Sequence, residues 1–177
     1  MQAVIFTGIP AAGKSTFYQR NFFRTHVRIN LDMLRTRHRE SVLLQACLES
    51  RQPFVVDNTN LTAAERSRYV TLARARGFEV VGYYFRSQAA ESLTRNATRP
   101  VADQVPKAGV LGACGRLELP SIEEGFAKLW YVRIAAAKSA KYRLSIGEDS
   151  VVAEDSVVAE DSVVAEDFVV EEWRDEA

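Results

Sequence analysis

Apolar residues along the chain fall into short unbroken runs, and between the runs lie longer stretches in which apolar positions recur with helical spacing. Residues 3–7 (Ala-Val-Ile-Phe-Thr) form such a run and stop at Gly8, which suits a first strand buried on both faces. Residues 14–24 then read as a helix, 27–31 as a second strand, and 33–49 as a helix with apolar positions at Val42, Leu43, Ala46 and Leu48. Residues 54–57 (Phe-Val-Val-Asp) predict a third strand, 62–76 a helix ended by Gly77, and 78–85 a fourth strand. A helix over 88–98 ends before Pro100. Residues 101–120 have few periodic apolar positions among their prolines and glycines and read as irregular and mobile. Residues 123–133 lead into a fifth strand at 129–134. Strands alternating with helices imply an α/β domain with a mostly parallel five-stranded sheet and helices on both faces.

The pattern changes at residue 148. Glu-Asp-Ser-Val-Val-Ala occurs three times in succession, followed by Glu-Asp-Phe-Val-Val-Glu. A period of six keeps a Val-Val pair on one side of neither a helix nor a strand, so residues 148–167 read as an acidic, poorly ordered spacer. Residues 1–147 form the domain, with a lid near 95–120, and residues 168–177 make a C-terminal segment with a strand that docks on it. The formal charge of zero conceals an asymmetry: from residue 148 onward there are 12 acidic residues and one basic, leaving 22 basic against 11 acidic before it. A body that basic attracts a polyanion, unless its role is to be neutralised by the tail. No apolar run is long enough to cross a bilayer, the first residues lack the regions of a signal peptide, and two cysteines, Cys47 and Cys114, make no disulfide framework. A cytoplasmic protein without a membrane partner is expected.

Gly8-Ile-Pro-Ala-Ala-Gly-Lys14-Ser15 matches G-x-x-x-x-G-K-[ST] in full, between an apolar strand and a helix. Glycine lets the backbone turn its N–H groups toward phosphates, and the helix start adds its positive end. Gly8, Ala11, Ala12, Gly13, Lys14, Ser15 and Thr16 are therefore the ATP-binding residues. Lys14 neutralises β- and γ-phosphate charge, and the Ser15 hydroxyl ligates Mg²⁺. The fold expected is P-loop NTPase or kinase-like.

Three further groups carry candidate chemistry, each with a plainer structural reading beside it. Asp32 follows the second strand, three residues before Arg35 on what reads as one helix face. A carboxylate there can take the proton of an attacking hydroxyl while Arg35 holds an acceptor phosphate, or Asp32 is simply an N-cap. Asp57-Asn58-Thr59-Asn60 ends the third strand, where Asp57 can contact Mg²⁺ through water or the four residues make a turn. Arg95 and Arg99 lie four apart before the irregular segment, placed to close over a triphosphate or to stabilise a helix end. His26 and His38 have no metal-ligand companions.

In combination these residues resemble the polynucleotide 5′-hydroxyl kinases, the kinase domains of phage-type and bacterial end-healing enzymes, over roughly residues 1–133. The resemblance matches Lys14 and Ser15 to that family's P-loop, Asp32 and Arg35 to its Asp-x-x-Arg element, and Arg95-Asn-Ala-Thr-Arg99 to its lid pattern R-N-x-x-R. It implies that Asp32 is the general base, Arg35 the acceptor-phosphate contact and Arg99 a donor-phosphate contact. Asn58 and Thr59 match a D-T-N or N-T-N element on the acceptor side. Phage-type members carry an Asp at the position of Asn58 that orients the acceptor-side Arg, whereas here Asp57 comes one residue earlier. Family members often carry a phosphatase or ligase domain, and none accompanies these residues, so a separate end-healing partner is expected. The function implied is transfer of the ATP γ-phosphate, with Mg²⁺, to the 5′-OH end of RNA or DNA. The alternatives are a kinase of a small metabolite or nucleotide on the same scaffold, and an ATP-hydrolysing accessory protein without an acceptor. Salt distinguishes the first two, because an acceptor with several phosphates binds much more weakly as salt rises.

Overall fold

In the computed structural model, which describes residues 1–135 and 168–173, the sheet has six strands: β1 Gln2–Thr7, β2 Val27–Ile29, β3 Phe54–Val56, β4 Glu79–Phe85, β5 Lys128–Ile134 and β6 Phe168–Glu172. Their order is β2-β3-β1-β4-β5-β6. β1 to β5 run parallel, with Ala3 opposite Phe54 on one side and Val80 on the other. β6 returns antiparallel to β5, pairing Ile134 with Phe168 and Trp130 with Glu172. The helices are α1 Lys14–Asn21, α2 Leu31–Leu34, α3 Arg37–Ser50, α4 Ala63–Ala75, α5 Ala89–Ala97 and α6 Lys107–Arg116.

Alternation along β1 builds two cores. Ala3 and Ile5 point to a cluster with Leu44, Leu48, Tyr69 and Val70 of α3 and α4. Val4 and Phe6 point to a cluster with Phe17 and Tyr18 of α1 and Val110 of α6. Every residue from Ala3 to Phe6 is fully buried, which is why this strand reads as one apolar run. β1 is thus followed by α1 on one face and β3 by α4 on the other. The crevice of the sheet opens between the carboxyl ends of these neighbouring strands.

β6 lies within residues 168–177, where a docking strand is expected, and joins the five strands of the body antiparallel to β5. Two expectations are corrected. The helix expected over 33–49 is broken: Asn30 caps α2 by accepting from Met33 N at 3.0 Å, Arg35 takes φ 69°, and Thr36 caps α3 by accepting from Arg39 N. Two N-cap side chains six residues apart start two helices, so the shared face expected for Asp32 and Arg35 ends at Leu34. Residues 101–120, expected to be irregular, contain α6. Its glycines each cost a helix about 1 kcal/mol. Burying Val110 against the second core offsets that by about 2 kcal/mol, and Ala113, Cys114 and Leu117 add to it. The acidic spacer expected over 148–167 lies outside the described residues. No helix among the described residues is long and apolar enough to cross a membrane.

Candidate active site

The loop between β1 and α1 wraps back on itself. Gly13, the N-cap of α1, has φ 96°, and a Cβ there would meet Ile134 Cδ1 and Phe168 Cε1 at 3.1 Å. The positive φ favours glycine, and a Cβ would also have to displace those two side chains by a few tenths of an ångström. Gly8 N donates to Thr59 O at 3.0 Å and Ile9 N to Ser87 Oγ at 3.1 Å, which ties the loop to the segments after β3 and β4. Lys14 folds over the loop and donates to Gly8 O at 2.8 Å and Ile9 O at 2.7 Å. Burial pushes its ammonium down to about 8; Arg99 pushes the same way, while Asp57 and Asp32 oppose. The ammonium is thus held by the loop's own carbonyls, in the lining of the cleft where an anion would bind.

Below the loop, Ser15 Oγ donates to Asp57 Oδ2 at 3.0 Å. Asp57 is only 2% exposed, and its carboxylate is held by Arg28 of β2, with Nε at 2.9 Å and Nη2 at 2.5 Å. Arg28 Nη2 also donates to Ser15 Oγ at 2.8 Å, and the guanidinium lies over the Tyr18 ring. One hydroxyl and one carboxylate beside a phosphate loop fit Mg²⁺, which keeps several waters and takes other ligands from phosphates. Among the described residues there is no group of three or more His, Cys, Asp or Glu for an all-protein metal cage. Ser15 and Asp57 would hold the ion, and the Arg28 guanidinium occupies the same two atoms, Asp57 Oδ2 and Ser15 Oγ.

The acceptor side is built around Asn58. Asn58 Oδ1 accepts from Leu31 N at 2.8 Å, fixing the backbone next to Asp32. Its Nδ2 donates to Glu40 Oε1 at 2.7 Å and to Tyr69 OH at 3.2 Å. Tyr69 OH also donates to Glu40 Oε1 at 2.9 Å, and Arg37 Nη1 donates to Glu40 Oε2 at 2.7 Å. Burial, and next the Glu40 charge, push the Tyr69 phenol up to about 12. Asn30 Nδ2 donates to the Asp57 carbonyl, closing the base of the crevice.

Ala11, Ala12, Gly13, Lys14, Ser15, Asp32, Asp57, Asn58, Thr59 and Arg99 line one cleft of about 260 Å³. Arg99 therefore faces the same space as Lys14 and Asp32 and reaches Lys14 electrostatically. Arg95 does not line it: Nε donates to Ala11 O at 2.9 Å, and Nη1 pairs with Glu91 at 3.6 Å, so this arginine docks α5 on the loop. Gly8 shapes the loop from beneath, while Thr16 and the exposed Arg35 lie outside the cleft lining. The lid segment and the acceptor wall are joined by Arg66 of α4, which is fully buried. Arg66 makes a two-point pair with Glu124 at 2.6 Å and donates to the carbonyls of Asn60, Leu61 and Glu118.

Sequence reasoning missed Arg28, Glu40, Tyr69 and Arg66. Only Arg28 left a mark: a basic residue inside the short apolar run of β2 needs a partner. The partner, Asp57, comes from the adjacent strand because Ile29 pairs with Val56.

The family model described as an AAA domain matches residues 4–120 of this chain. Among curated proteins, the bifunctional polynucleotide phosphatase/kinase of Schizosaccharomyces pombe (strain 972) is 28% identical over 134 residues, covering 72% of this chain. The match takes in 32% of that relative, so the chain spans about a third of its length. Among solved structures, Kti12 of Chaetomium thermophilum in complex with ADP-AlF3 aligns with TM-score 0.58 at 13% identity, covering 74% of this chain and 88% of that one. A gluconokinase from Sinorhizobium meliloti 1021 aligns with TM-score 0.55 at 18% identity, covering 76% and 83%. At such identities the structures share the fold, a P-loop kinase-like α/β domain.

Proposed function

Because the chain belongs to the AAA domain family and has its P-loop kinase-like fold, we propose that it is a polynucleotide 5′-hydroxyl kinase, transferring the γ-phosphate of ATP to the 5′-OH end of RNA or DNA. The observation that carries this reading is the meeting of Asp32 with Lys14, Arg99, Ser15 and Asp57 in one cleft, acid on the acceptor side and basic on the donor side. The likeness to a polynucleotide phosphatase/kinase supports the nucleic-acid acceptor, as does the excess of basic residues before residue 148.

Each residue then has a part. Asp32 accepts the proton of the 5′-hydroxyl, whose oxygen forms a bond to the γ-phosphorus while the bond to the β-phosphate bridging oxygen breaks and ADP leaves. Lys14 and Arg99 lie against the charge that spreads over the transferring oxygens. Ser15 and Asp57 would hold Mg²⁺, which when bound would supply positive charge beside the transferring phosphate. Arg28 occupies the same Asp57 Oδ2 and Ser15 Oγ and would give way to the ion. Arg95 keeps the loop from opening by holding the Ala11 carbonyl. An end-healing phosphatase or ligase would act as a separate partner, and the protein would work in the cytoplasm.

The test uses γ-labelled ATP and Mg²⁺ with a 5′-hydroxyl oligonucleotide, a 5′-phosphorylated control and a panel of nucleosides. Label passes only to the 5′-hydroxyl oligonucleotide, and Asp32→Ala abolishes the transfer. Label in a nucleoside alone, or only in inorganic phosphate, defeats the reading.

A further inference from the structure

β6 lies beyond residues 4–120, the stretch that the family model matches, and it begins within the last of the four hexapeptide copies. Glu-Asp and Val-Val recur in all four copies. The first three place Ser150, Ser156 and Ser162 where the fourth has Phe168. One aromatic side chain therefore sets the copy in β6 apart from the others.

That strand covers the outer edge of β5 and is anchored at its two ends. Between them Val170, Glu171 and Glu172 are exposed, and the pair of Arg133 with Glu171 at 3.4 Å is exposed as well. Just past one end, Trp173 N donates to Leu129 O at 3.0 Å, and the indole packs edge-on to Tyr84 and against the first core. At the other end, opposite Ile134, Phe168 meets Phe17 edge to face with ring centroids 5.1 Å apart. Arg20 of α1 lies over the same ring, 5.5 Å from its centroid.

Phe168 also reaches the phosphate loop. A Cβ on Gly13 would come within 3.1 Å of Phe168 Cε1 and Ile134 Cδ1, so both side chains lie against the Gly13 backbone. Gly13 itself lines the cleft. It holds φ 96° at the start of α1 without a side chain of its own to fix that conformation. Glycine has the most backbone freedom to lose when a loop is ordered. Arg95 at Ala11 O, Ser87 at Ile9 N and Thr59 at Gly8 N tie down residues 8–11. At Gly13 the support is the helical bond from Phe17 N, 2.9 Å, and the ring that touches both Gly13 and Phe17. A loop ordered before its phosphates arrive binds them more tightly, because the ordering cost falls outside the binding step.

We infer that Phe168 is a positioning residue for the phosphate loop, brought to Gly13 by β6, and that nucleotide binding and docking of β6 strengthen each other. Only nucleotide binding by the loop is required, whatever the acceptor. By linkage, the factor by which undocking of β6 weakens nucleotide binding is also the factor by which bound nucleotide protects β6 from opening.

The experiment uses the full chain with Phe168→Ser, which gives the fourth copy the residue of the first three, and Phe168→Leu, which keeps an apolar side chain at Gly13. ADP affinity is measured by calorimetry, and hydrogen exchange of the β6 amides is followed with and without saturating ADP. Phe168→Ser weakens ADP binding about ten-fold, and Phe168→Leu recovers most of that loss. In wild type, saturating ADP slows exchange of the β6 amides about ten-fold, and Phe168→Ser removes this protection. A ring that served only the core would lower Tm in Phe168→Ser and leave both ADP affinity and the response of β6 to ADP untouched. Wild-type ADP affinity in Phe168→Ser, or β6 exchange in wild type that ADP does not slow, overturns the inference while the kinase reading stands. If Phe168→Ser fails to fold, the exchange measurement on wild type decides by itself. A wild-type chain that binds no ADP defeats the inference and the kinase reading together.

Discussion

Raising the pH through 8 should discharge Lys14 and weaken nucleotide binding without loosening the fold. The ammonium sits under the phosphate loop with two backbone carbonyls as its hydrogen-bond partners, and burial brings it down to about 8 from 10.5. If only the charged form engages the phosphates, affinity follows the protonated fraction, about 0.9 at pH 7 and about 0.03 at pH 9.5. ADP affinity should therefore fall about thirty-fold over that range, over which phosphate ionisation, with a pKa of about 6, is essentially complete. Bound phosphates favour the charged form, so binding near pH 9 should take up close to one proton. Calorimetry in two buffers of different ionisation enthalpy reads that uptake directly. Stability moves the other way. The folded-state pKa is depressed, so between about 8 and 10.5 the unfolded chain holds the extra proton and stability rises with pH. The difference in unfolding free energy between wild type and Lys14→Met should grow by about 3 kcal/mol across that window and stay constant below it. Lys14→Arg, always charged, should bind ADP with a flat pH profile. A wild-type affinity that is flat from pH 7 to 9.5, with no proton uptake, refutes the reasoning.

Two substitutions probe the supports of the cleft. Arg66→Met strands the Glu124 carboxylate and frees the carbonyls of Asn60, Leu61 and Glu118, so it should cost about 4 kcal/mol and lower Tm by about 10 °C. Adding Glu124→Leu should recover only part of that in urea denaturation, since the carbonyls stay unpaired; a single variant losing under about 1 kcal/mol sinks the argument. Arg28→Met leaves Asp57 without its cation, so the Mg²⁺ concentration that half-saturates ADP binding should fall about ten-fold while the metal-free protein loses stability. An unchanged or higher Mg²⁺ requirement would show that Arg28 does not compete at that carboxylate.

Local signals carried well wherever they were also sufficient. Gly8 to Ser15 was legible because its spacing states a backbone geometry, and Gly13 takes the positive φ that the motif demands. Thr62 caps α4 by accepting from Glu65 N, and Gly77 stops the chain after it with φ 71°. Asp32, Asp57, Asn58 and Thr59 could be named as candidates because strand ends in a parallel sheet point to one edge. Asp32 and Arg35, by contrast, were placed on one helix face, and the caps at Asn30 and Thr36 part them. Arg95 and Arg99 shared one motif, yet one docks the loop and the other faces the cleft. α6 was hidden because its glycines contradict a helix locally, and only the second core, assembled from β1, α1 and β5, makes its burial favourable.

The amino-acid order thus carried the alternation of strands and helices, the phosphate loop and the acid and basic residues near it, since each depends on neighbours within a few positions. The pairings that give those residues their duties span much longer separations: 29 positions from Arg28 to Asp57, 18 from Glu40 to Asn58, and 58 from Arg66 to Glu124. None of these contacts can form until β2, β3 and β1 lie in register and α3, α4 and the segment before β5 close over them. Register and packing are properties of the assembled sheet. The charges around Lys14 and Asp57 were therefore written in the chain, while their partners were chosen by the fold.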